Sequence, residues 1–204
     1  MTNGEGAPSS RDVILAAART LVSTRGYDGM LISELSARSG LPASSIYYHF
    51  GSKLGVLGSL LERTFEELHA SFPSPSSFDG HEPIERFELW FTAACAALDQ
   101  RPDYLRLLLA VSAGSLADME PVLEIARRIR SYAHASWVDA LTPVFAPQSD
   151  ADRKFVDELA VIGRAMTDGL SVSTSFEGTT HSAHVAPFVA LVRGLAAQRA
   201  QAGR

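Results

Sequence analysis

Between Arg11 and Leu57 the chain alternates short apolar runs at helical spacing with glycines placed where a helix must stop. That alternation leaves room for little except short helices packed on one another. The first run, Ile14, Ala17, Ala18, Leu21 and Val22, falls on one helix face, because residues three and four apart are neighbours there. Ser10 stands at its start as the expected N-cap. Gly26 stands at its end, where a residue free to adopt positive φ closes a helix at small cost. A second run holds Ile32, Leu35, Ser36 and Ser39 and is closed by Gly40. Leu41 and Pro42 then open a third helix with Ile46 and Phe50 on its inner face. Two short helices about a glycine turn are the unit that lays its second helix in the major groove of DNA.

With Ile46 and Phe50 turned inward, Ala43, Ser44, Ser45, Tyr47, Tyr48 and His49 occupy the other directions of the third helix. Small hydroxyl side chains allow close approach and bond either base type, so Ser44 and Ser45 are the base-reading candidates. Tyr47, Tyr48 and His49 can donate to phosphate or base, although a tyrosine here could also pack on the first helix with only its tip wet. Lys53 follows Ser52, a good N-cap, and so falls in the first turn of a fourth helix. A cation there opposes the helix dipole at a cost of up to about 1 kcal/mol. A phosphate drawn to the same helix end would offset that cost.

Ile14-Leu15-x-Ala17-Ala18, Gly26-Tyr27, Gly40-Leu41 and Tyr47-Tyr48-His49-Phe50-Gly51-Ser52-Lys53 together resemble the TetR family of transcriptional repressors. The resemblance covers the first quarter of the chain. It implies an all-α homodimer, in which an N-terminal three-helix helix-turn-helix DNA-binding domain precedes an all-helical C-terminal ligand-binding and dimerisation domain. It also implies that the positions of Tyr47 and His49 contact DNA. The chain departs from the family at Met30 and Leu31, where Thr or Ser commonly caps the second helix, and at Pro42, which replaces the usual cap of the third. Ser33 could cap a second helix that starts later.

The division expected is a head over residues 1–57, with a short N-terminal tail, and a body over 58–204. The head carries five basic against four acidic side chains and the rest thirteen against nineteen, within a net charge of −5. Such a head binds DNA weakly through charge alone, leaving Arg11, Arg25, Arg38 and Lys53 for phosphates. The tail, Met1 to Ser9, holds no Lys or Arg, so no basic minor-groove arm is expected. No apolar run approaches the roughly 20 residues of a membrane span, and a cytoplasmic protein is expected. Cys95, the only cysteine, sits among alanines as a small core residue.

Beyond the head, Pro and Gly punctuate further helical runs near residues 53–71, 83–100, 102–112, 118–144, 151–176 and 182–201. Gly55 and Gly58 should weaken the first turns of the fourth helix. The last two helices are apolar over broad arcs, and a broad apolar arc must be buried somewhere. Phe155, Leu159, Ile162, Gly163, Met166 and Leu170, with Phe188, Val192 and Leu195, are therefore the candidate dimer interface, although a core within the chain would satisfy the same pattern. Phe65, Phe87, Trp90, Phe91, Leu108, Trp137 and Met166 could line a pocket for a small apolar or aromatic effector, or serve only as packing. Arg86 or Arg106 could meet one carboxylate of such a ligand.

His181 and His184 lie in a Thr-Thr-His-Ser stretch without acidic or thiol companions at ligand spacing and read as solvated loop residues, with no metal site. No cofactor is expected. The chain contains no Gly-x-Ser-x-Gly, no phosphate-cradling glycine loop and no His-Glu-x-x-His, which leaves an enzyme little to work with. A ligand-responsive, DNA-binding regulator with a pseudo-palindromic operator is the reading favoured. A helical dimer that only binds proteins is the alternative.

Overall fold

The computed structural model describes residues 8–112 and 119–202. Among them the chain is all-helical: α1 (Ser10–Arg25), α2 (Ile32–Ser39), α3 (Ala43–Phe50), α4 (Lys53–Ser71), α5 (Pro83–Gln100), α6 (Pro102–Ser112), α7 (Glu120–Phe145), α8 (Asp150–Glu177) and α9 (Val185–Ala202). Single 3₁₀ turns at Pro75–Phe78 and Ser182–His184 precede α5 and α9. Expected boundaries hold to within a few residues because Pro or Gly stands near most breaks. Asp118, the expected start of α7, and most of the Met1 to Ser9 tail lie outside the described residues. None of the described helices is long and apolar enough to cross a membrane.

The residues form two compact units. The first holds 8–66 with 106–112 and 119–127, the second 67–105 with 128–202, and α4, α6 and α7 each contribute to both. The first unit is thus larger than the head of residues 1–57 that the sequence suggests.

In the first unit α1 presents Ile14, Leu15, Ala17, Ala18 and Leu21 to a core completed by Met30, Leu35, Ile46, Val56 and Leu57. Ser9, rather than Ser10, caps α1: its hydroxyl accepts from the Asp12 amide at 3.2 Å while Asp12 reaches back in a capping box. Ser10 is the first helical residue. The turn between α2 and α3 needs Gly40, which sits in the left-handed region at φ 70°, ψ 11°. Ser36 locks that turn by donating to the Leu41 carbonyl at 2.7 Å. Gly55 has a contact reason rather than a flexibility one, since a Cβ there would stand 1.9 Å from the Phe50 carbonyl oxygen.

The second unit is built round an aromatic core. Phe87, Trp90 and Phe91 of α5, Trp137 of α7 and Phe188 of α9 are all buried, with ring centroids 5.2–6.4 Å apart. Trp90 satisfies its indole N–H on the Pro73 carbonyl at 3.2 Å. Cys95 belongs to the same core, and burial pushes its thiol up to about 12, so it carries no thiolate for redox chemistry.

His181 corrects the expectation of a solvated loop histidine, being 3% exposed. Its Nδ1 lies 2.7 Å from Asp99 Oδ1 and its Nε2 2.9 Å from Ser171 Oγ, which joins α5, α8 and the turn before α9. Ser171 is itself buried and donates to the Thr167 carbonyl at 3.1 Å, so this Asp–His–Ser chain is a tie between helices and not a nucleophile. Asp99 also accepts from the amides of His181 and Ser182 and from the Ser182 hydroxyl at 2.6–3.0 Å. Burial opposes its charge, but these bonds outweigh burial and hold its carboxyl below the usual value. A carboxyl depressed on folding contributes stability above its unfolded pKa and loses it as pH falls through the folded one. Asp99→Asn should therefore cost about 1–3 kcal/mol near neutrality. The difference from wild type should shrink below about pH 4. Chemical denaturation across pH checks this, and a pH-independent difference would contradict it.

Candidate nucleic-acid interface

α3 is short because Pro42 opens it and Gly51 closes it, and its side chains divide as the spacing requires. Ile46 is fully buried and Phe50 half-buried, while Ser44, Tyr47, Tyr48 and His49 face solvent and Ser45 is half-buried. Tyr48 is 86% exposed, which removes the reading that it packs on α1. Tyr47 is 52% exposed, and the Tyr48 ring meets His49 edge-on at 5.2 Å. These residues share one outward surface.

Neither helix of the motif has a side-chain cap. Leu31 occupies the N-cap of α2 and is 53% exposed, whereas Met30 is fully buried in the head core. Ser33 lies inside α2 and so does not cap it, which corrects the later start considered above. Pro42 takes the N-cap of α3. The first-turn amides of both helices are left without a side-chain partner, as suits groups that a phosphate can meet.

The cations are less free than the sequence suggests. Lys53 lies in the first turn of α4, where Ser52 Oγ accepts from the Gly55 amide at 3.0 Å. Its Nζ donates to the Asp28 carbonyl at 3.2 Å and stands 4.3 Å over the Tyr27 ring. Arg25 pairs with Glu34 at 2.9 Å, and Arg11 lies over the Phe50 ring at 5.6 Å.

The other candidates are distributed differently. Phe65 is half-buried on α4, and Leu108 is buried on α6, both in the first unit. Phe87, Trp90, Phe91 and Trp137 pack ring against ring, with Met166 beside them, so the structure uses them as core. Arg86 is taken by Asp79 at 2.6 Å and the Pro75 carbonyl at 3.2 Å, and the side chain of Arg106 lies outside the described residues.

Most of the expected interface turns inward. Leu159, Phe188 and Val192 are buried in the core of their own chain, against which Phe155, Met166 and Leu195 pack, and Leu170 is half-buried. Gly163 is not a surface seam, because a Cβ there would meet the Trp137 ring at 2.4 Å. Ile162, 59% exposed, remains outside, together with Val161, Val172 and Phe176 on α8 and Leu191 on α9. The sequence reading left out Val161, Val172 and Phe176, although their spacing along α8 with Ala165 and Gly169 marks a single face.

Among the described residues no group of three or more His, Cys, Asp or Glu side chains could hold a metal ion. An exposed aromatic and hydroxyl surface on the second helix of a helix-turn-helix defines a DNA-binding transcriptional regulator. Residues 14–60 match the family described as bacterial regulatory proteins, tetR family, so the helix-turn-helix is that of a TetR-family transcriptional regulator, a non-enzymatic family. It is 23% identical over 186 residues to the HTH-type transcriptional repressor BepR of Brucella suis, covering 88% of this chain and 89% of BepR. Its fold is shared by a transcriptional regulator of Rhodococcus sp. Rha1, with TM-score 0.70, 17% identity and coverage of 93% and 97%. A transcriptional regulator of Saccharomonospora viridis in complex with choline gives TM-score 0.70 at 20% identity, covering 88% of this chain and 95% of that one.

Proposed function

We propose that the protein represses transcription by holding a pseudo-palindromic operator as a two-fold dimer, and leaves it when a small effector binds the helical body. Residues 1–57 serve as the reading head and 58–204 as the body. The observation that carries this reading is Tyr48, a large side chain 86% exposed at the middle of the recognition helix. Ser44 and Ser45 read bases; Tyr47, Tyr48 and His49 meet phosphates or base edges. Repression accords with BepR, named a repressor, and a small ligand accords with the choline-bound regulator of the same fold. The dimer is formed by the exposed apolar faces of α8 and α9, which a monomer would leave to water.

Fluorescence anisotropy with the DNA upstream of the protein's own gene tests this directly. Saturable binding that Tyr48→Ala weakens is expected, and binding no tighter than to random duplex would overturn it. Lys53→Gln refines the assignment. If its ammonium leaves Asp28 and Tyr27 to meet a phosphate, the slope of log affinity against log salt should fall by about one. An unchanged slope with a lower melting temperature would make Lys53 a clamp on the loop between α1 and α2.

A further inference from the structure

In the second unit, α7 and α8 meet along a seam whose polar groups are unevenly matched. Arg130 pairs with Asp168 at 2.6 Å, and Arg164 donates through Nη1 to the Arg130 carbonyl at 3.1 Å. Arg164 Nε is buried with no acceptor, although a guanidinium carries five donors and buried donors are rarely left unmatched. One turn along α7 from Arg130, His134 Nδ1 is also buried without a partner, while Nε2 is held by Asp157 at 2.7 Å. Tyr104 of α6, 5% exposed, lies within electrostatic reach of both Arg130 and Asp168. Asp168 thus pairs with Arg130 and acts electrostatically on Arg164 and the Tyr104 phenol, and the other carboxylate acting on Arg164, Asp157, is 60% exposed and engaged by His134.

We propose that this seam, formed by Arg130, Arg164, Tyr104 and Asp168, is the carboxylate-recognition subsite for an acidic effector with an apolar body. The inference rests on the reading of the protein as a ligand-released regulator. A carboxylate presents two acceptor oxygens in the plane that a guanidinium fork matches, and it would give Arg164 Nε the partner it lacks. A neutral ligand offers less to the same groups. Burial, and then the Arg130 charge, weaken the hold of Arg164 on its proton, so a second anion beside it is favoured. The ligand competes with Asp168 for Arg130. Arg130 lies five residues beyond Ile125 on α7, and Ile125 and Val122 rest on Gly58 of α4, where a Cβ would meet Ile125 at 3.1 Å. Arg130 thus lies on the same helix as a stretch packed closely on α4.

The experiment uses octanoate and benzoate against octanamide and benzamide, titrated into the full-length protein by calorimetry, with operator release followed by anisotropy. At least one acid should bind about tenfold or more tightly than its amide. Arg164→Gln, once its melting curve shows it folded, should abolish that preference. Asp168→Asn removes the competing carboxylate and should tighten acid binding, an opposite sign that a merely structural ion pair would not produce. Equal binding of acids and amides, no binding of either acid, or an unchanged preference in Arg164→Gln overturns the subsite. Operator binding without ligand is measured in the same assay, so failure of the subsite stays distinct from failure of the regulator reading.

Discussion

Trp137→Ala is expected to lower stability by about 3–5 kcal/mol, the range for removing a large buried aromatic side chain. The ring lies 5.2 Å from Trp90, 5.3 Å from Phe91 and 5.8 Å from Phe188, centroid to centroid, and its six-membered edge covers Gly163. Its removal empties the centre of the second unit's core, because these neighbours are themselves locked by packing. The same contact predicts the reverse experiment. Gly163→Ala places a methyl within 2.4 Å of the ring and should cost about 1–3 kcal/mol by overpacking. In the double variant part of the loss should be recovered, because the methyl then enters the space the indole vacated. Urea denaturation of the four proteins measures the coupling. Strict additivity, or a Trp137→Ala loss near zero, would show that the core does not depend on this pair.

Ile162→Asp combined with Leu191→Asp is expected to turn the proposed dimer into monomer at micromolar concentration, read by light scattering, with helical content retained. Both side chains are largely exposed in the protomer, at 59% and 65%, so the charges disturb no core of their own chain. Burying them in a dimer would be costly. Operator affinity should fall by about 10²–10⁴, because two weakly basic heads hold a paired site only when linked. A double variant that stays dimeric would assign the seam to another surface.

What was legible in the sequence follows local rules. Gly40 and Pro42 mark the turn of the motif, and Ile46 and Phe50 separate from Tyr47 to His49 by helical period alone. The partner of each apolar face was not legible. Phe188, Leu191 and Val192 follow closely on α9, yet Phe188 and Val192 enter the core while Leu191 faces out. Apolarity says that a face must be covered and not by what. Gly163 looked like room for a second chain because Trp137, which fills that room, stands 26 residues away on another helix. His181 looked solvated for a similar reason, since Asp99 lies 82 residues earlier. The Ser9 cap was missed by one position, an ordinary uncertainty where two serines adjoin.

Cys95 has a practical consequence for measuring any of this. It is the only cysteine in the chain, it is fully buried, and its thiol stays protonated at neutral pH. Thiol-directed dyes react with exposed thiolates. A cysteine introduced at an exposed position such as Ser76 would consequently take a single fluorophore from the folded protein, with the native thiol left in place as part of the core.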